Sequence, residues 1–63
     1  MKKNIDKRIA QLYRERCSGI EIDIMDVTKV HAVGVRLIAA DPNVSDEVLG
    51  DGIRAFVETV RKN

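Results

Sequence analysis

The chain has 63 residues, 44% of them hydrophobic and 33% charged, with a formal net charge of +1. That length gives one domain over 1–63, which hides only about 60% of its unfolded surface on folding and gains from a disulfide, a metal or a second chain. Cys17 and His31 are each the only residue of their kind, so an internal disulfide and a Cys/His metal cage are both excluded and no cofactor is expected.

The first element is carried by "NIDKRIAQLYRERCSG", in which Ile5, Ile9, Leu12, Tyr13 and Cys17 recur at steps of three and four, the spacing of one helix face. Asn4 is the natural N-cap and Asp6 sits in the positive first turn. Arg14 and Arg16 lie near the negative end, and Gly19 supplies the left-handed residue that closes a helix. Lys3, Lys7, Arg8 and Arg14 make up a basic interaction face on this helix.

Next comes "CSGIEIDIMD", where Ile20, Ile22 and Ile24 alternate with Glu21 and Asp23. The alternation and the β-branched residues predict a short extended or β segment at 20–24. One strand cannot pair with itself. It either crosses between helices as a connection with its isoleucines in the core, or pairs with the same segment of a second chain across a two-fold axis. The pairing sets Glu21 and Asp23 against their own copies, and like charges facing each other oppose it, so the connection is favoured. Glu21, Asp23 and Asp26 form an acidic interaction face.

Asp26 reads as the N-cap of the second helix, with Met25 and Val30 as its hydrophobic staple. Val27, Val30, Gly34, Leu37 and Ile38 form its apolar stripe, widened by Val33. Its valines and Gly34 make it a weak helix former that depends on packing. The helix should end before Pro42, which pushes its predecessor out of helical geometry.

Ser45 then caps a third helix, with Asp46 and Glu47 at its positive end and Val44 stapled to Leu49. Leu49, Ile53, Phe56 and Val60 carry its stripe. Gly50 and Gly52 cost about 2 kcal/mol relative to alanine, which implies either close approach by another backbone or a break. The break is preferred here, with Asp51 recapping the second part. The fold class is therefore mainly α: a small three-helix domain, its third helix broken near Gly50 and Gly52, with one extended segment.

Charge is unevenly spread along the chain. Residues 1–18 hold six basic groups against two acids, a net of +4; residues 19–51 hold two against seven, a net of −5; residues 52–63 hold three against one, a net of +2. A polarised surface suits self-association or a charged partner. No nucleophile stands near a base, and neither "GxxxxGK[ST]" nor "GxGxxG" occurs, so an enzyme is not expected. His31 reads as a partly buried histidine with one hydrogen bond, Cys17 as a small core residue, and Tyr13 as either an interface anchor or core.

The functional expectation is a non-enzymatic protein-binding module, an accessory subunit, adaptor or inhibitor, whose partner is another protein and which forms a homodimer. The alternatives are a dimeric DNA-binding regulator using the basic face of the first helix, and an inhibitor presenting its acidic face to a nucleic-acid-binding protein. DNA fits less well, because the chain lacks the strongly basic balance of such binders and Asp46 and Glu47 open the third helix with the wrong sign. No apolar run approaches the ~18 residues of a membrane span and "MKKNIDKR" leads into no signal-peptide core, so a cytoplasmic location without membrane partners is expected.

Overall fold

The computed structural model describes residues 4–62. They form three helices, α1 (Ile5–Arg16), α2 (Ile24–Ala40) and α3 (Asp46–Val60), each packed against the other two. α1 and α3 run parallel, with Arg8 reaching Asp46 and Arg16 reaching Asp51. α2 returns between them.

The first helix starts where its cap residue predicts: Asn4 Oδ1 accepts from the Lys7 amide at 3.1 Å. Beyond its end the chain turns through Gly19 at φ +86°, a conformation that costs a residue with a Cβ about 1 kcal/mol or more. The third helix is opened by Ser45, whose hydroxyl accepts from the Val48 amide at 3.2 Å. Between α2 and α3 the turn at 41–44 is tied by the Val44 amide to the Asp41 carbonyl at 2.9 Å and by the Asn43 amide to Asp41 Oδ1 at 3.1 Å.

Ile9, Leu12, Cys17, Ile22, Val30, Leu49, Ile53 and Val57 form the buried core, with Ile5, Tyr13, Leu37, Phe56 and Val60 packed around it. Leu49, Ile53 and Val57 are wholly buried and follow one another at four-residue steps, which makes α3 the central strut. The α3 stripe thus runs through Leu49, Ile53 and Val57, with Phe56 and Val60 on its flanks. Each such side chain contributes about 1.5–3 kcal/mol by leaving water.

Two expectations are corrected. A β-strand at 20–24 is not seen: no strand occurs among the described residues, residues 20–23 form the non-helical connection between α1 and α2, and α2 begins at Ile24. Asp23 takes the N-cap backbone conformation in place of Asp26, with its carbonyl accepting from the Asp26 and Val27 amides at 2.9 and 3.0 Å. The helix therefore takes in the last isoleucine of the alternation: Ile22 is buried and Ile24 is exposed. The Glu21 carbonyl is satisfied by the Lys62 amide at 2.9 Å.

The second correction concerns α3, which is continuous through Gly50 and Gly52. The glycines are seats for side chains of the other helices, not breaks. A Cβ on Gly50 would lie 2.8 Å from Cζ of Arg16, and one on Gly52 would lie 2.5 Å from Cδ1 of Leu37. Gly34 of α2 does the same for Ile9, whose Cδ1 would stand 2.6 Å from an added Cβ. Each helix pair is drawn together over a missing side chain.

Candidate interaction surface

The α1–α3 seam absorbs part of the basic face expected on α1. Arg8 Nε donates to Asp46 Oδ1 at 2.6 Å and its Nη2 to the Val44 carbonyl at 2.8 Å. Arg16 repeats the arrangement two turns later, donating to Asp51 Oδ1 at 2.7 Å and to the Glu47 carbonyl at 3.3 Å across Gly50. Arg54 Nη1 answers from α3 to the Arg16 carbonyl at 2.7 Å. These guanidiniums fasten helix to helix. Lys7 and Arg14 are exposed, and Lys3 lies outside the described residues, so Arg8 is not available to a row of four. The cleft of about 360 Å³ along this seam is lined by Gln11, Glu15 and Glu47 beside Arg8, Arg16 and Asp46, and both of its arginines are paired with acids.

The acidic residues are divided. Glu21 and Asp23 are exposed in the connection before α2, while Asp26 is half-buried in the first turn of the helix, 3.7 Å from Lys29 Nζ. Asp26 is thus the least accessible of the three.

On the other side, α1 and α2 enclose an apolar groove of about 140 Å³ between Ile9, Ala10, Tyr13, Val27 and Val30. At its rim His31 Nε2 meets Asp6 Oδ1 at 2.5 Å. The histidine side chain is 52% exposed, so the expected partly buried residue is corrected: position 31 points away from the core defined by Val30 and Gly34 and finds its partner at the surface. Tyr13 is half-buried and contributes to the groove as well as to the packing around the core.

Beside this groove runs the outer face of α2. Ile24 is 77% exposed, Met25 69% and Val35 39%; Thr28, Ala32 and Ala39 are exposed between and beyond them, while Val27 turns toward the groove. Of the helix's 17 residues only Asp26, Lys29 and Arg36 are charged. A surface helix ordinarily opposes a polar face to its apolar one, and this helix is apolar on both. The signal is present in the sequence, in the scarcity of charge along "IMDVTKVHAVGVRLIAA", of whose apolar residues the core stripe accounts for only the inner half.

Among the described residues two titratable groups are shifted. Burial pushes the Cys17 thiol above its ordinary range, with Arg54 and Arg16 pulling the other way and Glu58 adding to the rise. Hydrogen bonds from Arg54 at 2.8 Å and Arg61 at 2.9 Å hold the exposed Glu58 carboxyl below the usual carboxylate range. Cys17 is a core residue, as its place on the α1 stripe predicts. Among the described residues no three His, Cys, Asp or Glu side chains converge as metal ligands, and no helix is long and apolar enough to cross a membrane.

Comparison with protein-family models, with curated proteins and with solved structures gives no match.

Proposed function

We propose that this chain is a small cytoplasmic, non-enzymatic protein-binding module, an accessory subunit, adaptor or inhibitor, that works through the outer face of α2. The observation that carries the reading is the row of exposed apolar side chains from Ile24 to Val35 on a helix whose inner face already packs into the core. Scattered surface hydrophobics need no explanation, but a contiguous stripe marks a place where another surface docks. Burial of such side chains drives association by roughly 25 cal/mol per Å² of apolar area. The paired state of Arg8 and Arg16 also turns the reading away from a phosphate-binding α1 and toward protein recognition.

Affinity capture from the native cell extract tests this, with and without nuclease, using the wild-type chain and Val35→Glu. Retention of a specific protein that survives nuclease and is lost with the variant is the expected result. Retention only of material that nuclease releases would replace the protein-binding reading with a nucleic-acid one.

A further inference from the structure

We infer that the occupant of the α2 outer face is an amphipathic helix of another protein with acidic residues along one edge. This rests on the protein-binding reading above and names the chemistry of the partner.

Shape is the first support. Met25, Thr28, Ala32, Val35 and Ala39 are exposed and follow at steps of three, four, three and four, the seam that packs against a second helix at a shallow angle. Thr28, Ala32 and Ala39 are small, so an incoming backbone can approach to about 8 Å, the near end of helix–helix distances. Seventeen residues give a contact length of about 25 Å.

Charge is the second. The two flanks of this seam differ, because successive residues advance by about 100° around a helix. Toward α1 the flank is Ile24 and His31, next to the apolar groove. On the opposite flank stand Lys29 and Arg36, seven residues apart and so on one edge. Arg36 is exposed and has no ion-pair or hydrogen-bond partner among the described residues, and Lys29 has only the 3.7 Å contact to Asp26. The edge is left net positive beside an apolar seam. A helix carrying Asp or Glu seven residues apart beside its own apolar stripe complements both at once.

The same arrangement disfavours a second copy of this chain as the occupant. Antiparallel self-docking sets the Lys29 and Arg36 row against the identical row, and like charges at that spacing repel. Parallel self-docking sets the row against Ile24 and His31, where the one adjacent carboxylate, Asp6, is already held by His31 at 2.5 Å.

The test places a photo-reactive diazirine residue at position 35 of the full chain in its own cells, with mass spectrometry identifying the peptides cross-linked to it. The expected adducts map to a helical segment with apolar residues at steps of three and four and acids seven apart on one edge. Arg36→Glu in the same chain should lower the yield about three- to tenfold with an unchanged circular dichroism spectrum. A basic residue at the facing acid of the partner should restore it. Adducts to this chain itself, or to a protein segment lacking an acidic edge, would overturn the inference and leave the protein-binding reading in place. Adducts only to lipid, or none, would overturn both.

Discussion

Alanine at Gly34 and alanine at Gly52 make the same chemical change in a helix interior, yet the packing around them predicts opposite effects. At either site the substitution favours the helix by about 0.8–1.0 kcal/mol. At Gly34 the new Cβ would lie 2.6, 2.7 and 3.0 Å from Cδ1, Cγ1 and Cγ2 of Ile9, against an ordinary separation of about 3.5–4.0 Å. Three atoms of one side chain are involved, and Ile9 is wholly enclosed in the core, so no single rotation relieves the contact. Overpacking by a methyl group costs about 1–3 kcal/mol, and the balance is a loss of about 1 kcal/mol, or a fall in Tm of about 4–8 °C for a domain of this size. At Gly52 only Cδ1 of Leu37 is close, at 2.5 Å, with its next atoms at 3.7 Å. That terminal methyl belongs to a half-buried side chain and can turn aside, so Gly52→Ala should gain about 0.5 kcal/mol. Urea unfolding with a common m-value gives the comparison directly. Ile9→Val, which removes Cδ1, should make Gly34→Ala less costly than it is in the wild-type background. A Gly34→Ala protein as stable as wild type, or a Gly52→Ala protein less stable than Gly34→Ala, would refute the close-approach explanation of these glycines.

Arg8→Ala should cost about 1–1.5 kcal/mol, since it removes both an exposed ion pair and a part-buried bond to the Val44 carbonyl, whereas Lys7→Ala should change stability by less than about 0.5 kcal/mol; equal effects in thermal unfolding would show that Arg8 does not fasten α1 to α3. Glu58 contributes stability that is present above its unfolded value of 4.5 and lost as the pH falls through its lower folded value. Glu58→Gln should therefore flatten the acid side of the Tm–pH curve, and an unchanged slope below pH 4.5 would contradict the Arg54 and Arg61 contacts. Cys17 is buried and its folded pKa is raised, so a disulfide reagent at neutral pH should label it at least about 100-fold more slowly than the urea-unfolded chain. Its contribution is intact below the unfolded value of 9.0 and is lost as the pH rises toward the folded one. Rapid labelling of the native protein would place the thiol at the surface.

The parts of this fold that could be read from the sequence are those decided by neighbours in the chain. Asn4 and Ser45 cap the helices they precede, Gly19 takes the left-handed turn, and Pro42 follows a helix that ends at Ala40. What escaped depends on residues distant in sequence. Two aspartates three apart could each cap α2, and the choice of Asp23 over Asp26 follows from how the connection packs Ile22 into the core, which no local pattern contains. Gly50 and Gly52 look like breakers until Arg16 and Leu37 are known to cross over them. Arg8 belongs to the basic row by spacing alone, and only the position of Asp46, 38 residues away, makes it a fastening group. The candidate surface was half legible: the apolar character of α2 is in its composition, but which side faces outward is set by Val30 and Gly34 meeting the other helices.

The central claim is that the outer face of α2, and not the basic residues of α1, is where a protein partner docks. Parallel affinity capture with Val35→Glu on α2 and with Lys7→Glu combined with Arg14→Glu on α1 compares the two surfaces at positions that are all exposed, so each variant should keep its fold and within about 0.5 kcal/mol its stability. The account predicts that the partner is lost from the α2 variant and retained by the α1 variant. Loss from the α1 variant with full retention by Val35→Glu would contradict it.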